Sequence, residues 1–334
     1  MKRIVVIGSG IAGLAAAKHF HSKNFNITVL DKGKYPGGRI STRKNKEFIF
    51  NHGAQFFTAK SKEFKKICQL GVKDNVLINW NTLSKKDRFI GNPDMREFSY
   101  WFSKNLEIHQ ETLVESIEFN NNFTIITNNK KFSADGLSLI HISEPTAGLI
   151  KNLDNQIYKL IENVTYFPCW CVMISIKDMN LKKFEIEENS IFSWIISENN
   201  KIKNSLSDNC ITIHANEKFS LDHLEKNKEF VLDKIIREFT KIYKVKNNDI
   251  TYKNIHRWRY AKVKNYFPLE QSKISKIMPL GIAGDWCPPM LGGDYYVNGQ
   301  RVEDAFLSGI ECSKTLINKY LSLIHISEPT RRAI

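Results

Sequence analysis

The sequence predicts an α/β protein: a Rossmann-type dinucleotide-binding domain assembled from both chain ends, with a β-rich α+β domain between them. Three observations carry this. Six glycines lie at 8, 10, 13, 37, 38 and 53, and six more at 281, 284, 292, 293, 299 and 309, whereas residues 149–280 contain none. Glycine collects where backbone turns sharply or approaches a ligand closely, so the two ends are expected to build one binding unit. The N-terminus reads strand, glycine turn, helix, strand. The glycine-free middle holds short apolar runs of strand length. The expected division is 1–75, 105–160 and 265–320 for the dinucleotide-binding domain, and 76–104 with 161–264 for the second domain.

In chain order, Lys2 to Ile7 is a β-branched run, Gly8-Ser9-Gly10-Ile11-Ala12-Gly13 follows at once, and Leu14 to Phe20 continues as a helix. In such a turn the first glycine makes the bend, the second lets backbone reach a diphosphate and the third packs helix on strand. The charged, apolar start resembles a secretory signal, but the glycine register favours the first strand and turn of a domain. A second strand, Asn26 to Leu30, ends at Asp31, where a carboxylate is placed to accept from a ribose hydroxyl, about 20 residues beyond the glycines. Gly37-Gly38-Arg39 through Arg43 then adds a second close-approach loop with two guanidiniums, spaced for a diphosphate and an electron-rich ring edge. Asn51 to Phe57, with Gly53 among small residues, offers backbone to a flat ring.

The middle supplies candidate strands at Cys169 to Ser175, Ile191 to Ile196 and Cys210 to His214. Leu221, Leu224, Val231, Ile235, Phe239 and Ile242 recur at helical spacing and predict one six-turn amphipathic helix after Ser220. An apolar strand, Lys276 to Ala283, leads to Gly284-Asp285, and Gln300 to Glu303 opens a last helix. The ten-residue word LSLIHISEPT occurs identically at 137–146 and 321–330. Repeat architectures have periods of roughly 20 to 50 residues and do not reproduce one short word. Residues 321–334 are therefore read as an adapter-derived, non-native tail.

Of 334 residues, 49 are Lys or Arg and 35 are acidic, giving a formal charge of +14. Only 11 of those 49 are arginines, and the lysines are dispersed. A phosphate-clamping or base-reading surface favours the bidentate fork of Arg, so a nucleic-acid partner is not expected. Six cysteines are too sparse for a disulfide framework and are read as reduced thiols in a cytoplasmic protein. No membrane span and no metal site is expected. Cys169 and Cys171 share a strand face but lack further ligands. Trp170, Trp194, Trp258 and Tyr166 are candidate walls for a flat substrate, each with core packing as the competing role.

The motifs GGR-x-STR (37–43) and HGAQFF (52–57), with YFPCW (166–170), HRWRYA (256–261), AGDWC (283–287) and QRVEDAFLSG (300–309), are similar to the bacterial renalase-type branch of the FAD-dependent amine-oxidase-like flavoproteins. The likeness runs from about residue 3 to 320. It implies an amine-oxidase/p-hydroxybenzoate-hydroxylase-like architecture and non-covalent FAD, contacted by Gly8, Gly10, Ile11, Ala12, Gly13, Asp31, Lys32, Gly38, Arg39, Arg43, His52, Gly53, Ala54, Gln55, Phe56, Val114, Gly284, Asp285, Arg301 and Val302. Renalase-type members oxidise misreduced 2- and 6-dihydro isomers of NAD(P) and pass the electrons to O2, giving hydrogen peroxide. No acid/base constellation is visible, and none is needed, because a dihydropyridine already carries the hydride to be lost. The sequence departs from the branch at 288–299, a longer connection with Tyr295 and Tyr296 that is expected to cover the site. A flavin amine oxidase or desaturase, and a non-catalytic FAD- or nucleic-acid-binding protein, are the alternatives.

Overall fold

The computed structural model describes residues 1–44, 47–80, 88–140, 143–177, 186, 189–201, 209–268, 271, 273–287 and 301–326. The connection at 288–299 lies outside them. From the N-terminus, β1 (Arg3–Ile7), α1 (Ile11–His21) and β2 (Asn26–Leu30) form the expected strand–helix–strand unit. Two small antiparallel sheets follow. The first pairs β3 (Arg43–Lys44) with β4 (Ile49–Phe50), and the second joins β5 (Phe57–Thr58), β6 (Leu77–Asn79) and β7 (Arg88–Gly91) around helix α2 (Lys62–Lys73). Helix α3 (Met95–Ser103) leads to β8 (Glu107–His109), then to the meander β9 (Val114–Asn120), β10 (Asn122–Thr127) and β11 (Lys131–Ala134), and to β12 (Gly136–Leu139). Helices α4 (Ser143–Ile150) and α5 (Asn155–Ile161) precede the second large sheet, made of β13 (Thr165–Ile176), β14 (Phe192–Ser197), β15 (Asn209–Ala215) and β16 (Ile250–Asn265). Helices α6 (Glu217–Asp222) and α7 (Lys228–Tyr243) lie between its last two strands, and β17 (Leu280–Ile282) and α8 (Val302–Ile326) complete the described chain.

The five-stranded sheet has the order β17-β12-β1-β2-β8 and is parallel throughout. Both its faces are covered, which is why β1 is apolar at every position after Arg3. Ile4 and Val6 point to α1 and α8, while Val5 and Ile7 point to the meander and α4–α5 side. The first copy of the repeated word supplies Leu137 and Leu139, fully buried at the centre of this sheet. Its second copy continues α8 to Ile326. The opening Leu-Ser-Leu of the word is thus strand in one place and helix in the other, tertiary context overriding local preference.

The antiparallel sheet has the order β14-β15-β13-β16. Successive side chains of β13 alternate between two cores: Trp170, Val172, Ile174 and Ile176 face α7, and Cys171 and Met173 face Phe50 of β4. The single long helix expected after Ser220 is two helices. Asn227 interrupts it, its side chain accepting from the backbone N–H groups of Glu229 and Phe230 to cap α7. Likewise the apolar run at 276–283 is strand only at Leu280–Ile282, because Ser275, Ile277 and Met278 form a turn ahead of it.

Helices α1 and α8, from opposite ends of the chain, meet where Gly309 faces Ala12. A Cβ at Gly309 would lie 2.1 Å from the Ala12 carbonyl oxygen. Gly to Ala inside a helix ordinarily gains about 1 kcal/mol. Here the backbone clash reverses the sign, so Gly309→Ala is expected to lower the denaturation midpoint; a raised midpoint in a thermal or urea melt would show that the helices part without cost.

Candidate active site

The glycine turn is packed on one side and open on the other. Gly8 N–H donates to the Leu30 carbonyl at 2.7 Å, and a Cβ on Gly13 would sit 1.8 Å from the Gly8 oxygen. A Cβ on Gly10 would meet nothing within 4 Å. Helix α1 opens at Gly10 with no side-chain cap and no acidic residue in its first turn, and Ile11 and Ala12 add only buried apolar side chains. Its first N–H groups and the positive end of its dipole therefore suit an anion.

The second loop docks on the first. Gly37 N–H donates to the Ser9 carbonyl at 2.8 Å, and Gly38 packs with its α-carbon side against Gly10. Asp31 accepts from Ser9 Oγ at 2.7 Å and Ser9 N at 2.5 Å through one oxygen, and from Gly33 N at 2.7 Å through the other. A carboxylate offers about four acceptor positions, so Asp31 orders the turn and keeps room for a sugar hydroxyl. Lys32 beside it is exposed. Gln110, which the sequence reading missed, donates to Ser9 Oγ, and its buried Oε1 has no partner among the described residues. Thr112 N–H bonds the Asp31 carbonyl and brings Val114, at the start of β9, to the same end. An orphaned buried acceptor, an uncapped helix end and an open glycine turn fit the sugar and diphosphate of a dinucleotide such as FAD.

Arg39 links both chain ends. Its guanidinium forms a two-pronged ion pair with Asp285, at 2.8 and 2.5 Å, and donates to the Ala261 carbonyl of β16. Burial works against the Arg39 charge, but Asp285 outweighs it, with Tyr166 adding to the effect. Tyr166 packs edge-on against Tyr260. The Arg39 carbonyl accepts from Ala54 N–H, and Gly53 N–H bonds Ser41, so the 53–54 backbone lies against the arginine loop. Gly284 N–H donates to Ser308 Oγ of α8.

Four of the expected residues lie elsewhere than at the glycine loops. Arg43 does not join the diphosphate loops: it starts β3 and bonds Asn254 of β16. The Arg301 guanidinium turns back onto its own helix end, meeting Asp304 Oδ1 at 2.8 Å and Glu303 at 3.5 Å beside Val302. The Gln55 side chain points into the protein, bonded to the Asn51 carbonyl and to Lys201. Trp170 is fully buried and donates to the His223 carbonyl, on the face of β13 that packs against α7, away from Trp258.

The remaining aromatic candidates gather where the 51–56 segment meets the antiparallel sheet. Trp258 stacks on His52 at 5.4 Å and donates to its carbonyl at 2.8 Å, while His256 packs edge-on against both rings. Burial pushes His52 down to about 3, with His256 and Arg43 adding to it. It pushes His214 and His256 to about 4, so all three rings are neutral at neutral pH. Trp194 of β14 packs on Phe56.

Beneath this segment is a buried polar hub that sequence reading also missed. Glu198 accepts from Asn51 N (3.0 Å), Asn51 Nδ2 (2.8 Å), Thr212 Oγ1 (2.6 Å) and Lys201 Nζ (2.9 Å). Burial lowers the Lys201 pKa and Glu198 opposes it. The thiols of Cys68 and Cys169 are pushed up to about 12 by burial and stay protonated. Among the described residues no group of three or more His, Cys, Asp or Glu converges as a metal site, and no helix is long and apolar enough to cross a membrane.

Residues 6–69 match the family model of the NAD(P)-binding Rossmann-like domain. A 1-hydroxycarotenoid 3,4-desaturase of Flavobacterium sp. (strain P99-3) is 40% identical over 58 residues, 17% of this chain and 12% of that protein. The segments matched in the curated relatives span 12% to 17% of their length. Over the whole chain the likeness is structural. A putrescine oxidase bound to putrescine superposes with a TM-score of 0.70 at 10% identity, over 95% of this chain and 99% of that one. The cyclohexylamine oxidase of Brevibacterium oxydans IH-35A does so with a TM-score of 0.69 at 10% identity, over 96% and 99%. The chain therefore shares the fold of these two oxidases, with an NAD(P)-binding Rossmann-like domain matched at residues 6–69.

Proposed function

We propose that the protein is an FAD-dependent oxidase of the renalase type, acting on 2- or 6-dihydro isomers of NAD(P) with O2 as the electron acceptor. The observation that carries this reading is the neutral aromatic seam at residues 52–56. His52, His214 and His256 are held uncharged, and Trp258, Phe56 and Trp194 wall the same region. When bound, FAD would supply the two-electron hydride acceptor, with O2 as its oxidant and hydrogen peroxide as the product. The protein's own residues do the rest. The α1 end and the two glycine loops take the diphosphate, Asp31 and Gln110 take the sugar, and the Arg39–Asp285 pair fastens the loops to the C-terminal segment. The Gly53–Ala54 backbone offers a flat surface, and the aromatic walls exclude water and orient a planar ring. A dihydropyridine needs no base to release hydride, which suits a region whose imidazoles stay neutral.

Rapid anaerobic mixing of the FAD-loaded protein tests this. The 2- or 6-dihydro isomers are expected to bleach the flavin, and ordinary NADH is not. The amine-oxidase neighbours supply the second reading: bleaching by putrescine or cyclohexylamine, with none by any dihydro isomer, replaces the first reading with it.

A further inference from the structure

Phe56, the last residue of the 51–56 segment, is flanked by two indoles. Trp80, directly after β6, lies 5.9 Å from its ring, and Trp194 lies 5.7 Å from it. The two tryptophans come from different sheets, so the cluster closes the boundary between the β5–β7–β6 sheet and the β13–β16 sheet. Both indole Nε1–H groups are buried and have no acceptor among the described residues, and Trp80 is only 6% exposed. An indole nitrogen is a donor only, and a buried donor left unpaired costs about 1–3 kcal/mol. Trp170 shows what the fold does where no ligand is served: its Nε1–H meets the His223 carbonyl. The Arg88 guanidinium sits over the Phe56 ring at 4.6 Å, so the cluster also carries positive charge.

We propose that Phe56, Trp80 and Trp194 form the specificity subsite for the substrate's reacting ring, with the indole N–H groups of Trp80 and Trp194 donating to an acceptor carried by that ring. The chemistry asks for a planar ring with an exocyclic carbonyl, such as a pyridine carboxamide. A simple alkylamine offers neither the flat face nor the acceptor. This deepens the function proposed above and rests on it for the identity of the substrate.

The test uses the FAD-loaded full chain and two probes of matched ring and size, nicotinamide and 3-isopropylpyridine, with dissociation constants read from quenching of indole fluorescence. The wild type is expected to bind nicotinamide about tenfold more tightly, the equivalent of one hydrogen bond at about 1.4 kcal/mol. Trp80→Phe and Trp194→Phe keep a ring and remove the donor, so each is expected to narrow the gap by weakening nicotinamide alone. A purely structural role weakens both probes equally. Equal binding of the two probes by the wild type, or an undiminished gap in both variants, overturns the subsite. The wild-type comparison needs no variant, so a variant that does not fold leaves the test intact. A preference for nicotinamide without bleaching by any dihydro isomer overturns the function and keeps the subsite, whereas bleaching without a preference does the reverse.

Discussion

Replacing Glu198 with alanine is expected to cost the protein about 3–5 kcal/mol, the scale for leaving one partner of a buried ion pair uncompensated. The Glu198 side chain is 4% exposed and that of Lys201 is 2%. The carboxylate answers four donors from three parts of the chain, at Asn51, Lys201 and Thr212. Its loss strands a buried ammonium whose remaining hydrogen-bond partner among the described residues is the Gln55 amide oxygen. Lys201→Met is the milder change, because the carboxylate keeps the Asn51 and Thr212 donors. The order of the two variants is therefore part of the prediction. Urea midpoints at constant slope measure it; a Glu198→Ala cost under about 1 kcal/mol, or a larger cost for Lys201→Met, would falsify the hub.

Asp285→Ala is expected to weaken FAD binding by about 30- to 150-fold. The basis is the loss of charge-assisted hydrogen bonds, about 2–3 kcal/mol. Asp285 pairs with the Arg39 guanidinium through both carboxylate oxygens. It holds Arg39, whose backbone carbonyl receives Ala54 and whose loop docks on Ser9 through Gly37. Arg39→Lys keeps the charge and loses the fork, so it is expected to fall between wild type and Asp285→Ala. Cofactor released on ultrafiltration, followed by absorbance, reads the difference. Retention of FAD by Asp285→Ala at wild-type affinity would remove the pair from the binding machinery.

Much of the dinucleotide-binding unit is legible in the sequence because its logic is local. Gly8, Gly10 and Gly13, the apolar β1 and Asp31 all lie within 31 residues, and each has one physical reason to be where it is. The side-chain directions around the seam are not local. Trp170 and Trp258 stand on opposite faces of the antiparallel sheet because Trp258 pairs with Cys169 while Trp170 pairs with Arg257. That register is set by a strand about 90 residues further on. Arg43 reads as a phosphate ligand beside Gly38, but the turn at Gly37–Ile40 and the start of β3 carry it to Asn254. The Glu198 hub has only one local trace, an acid and a lysine three apart after a strand, a pattern ordinarily found on solvated surfaces. The break at Asn227 escaped because apolar spacing carries on across it, and only the capping side chain marks the gap.

The joining of β17 and α8 to a sheet begun by β1 also governs how the chain reaches this state. Strand β12 has β1 on one side and β17 on the other, and α8 covers α1. Until about 280 residues have been synthesised, Leu137 and Leu139 have no neighbour on the β17 edge, and the Ala16 and Phe20 face of α1 waits longer still for Cys312 and Leu316 of α8. Contacts of such long sequence separation form late and slowly, and unpaired apolar edges promote association meanwhile. The same closure that gives the two chain ends one binding site makes that site the last part of the molecule to assemble.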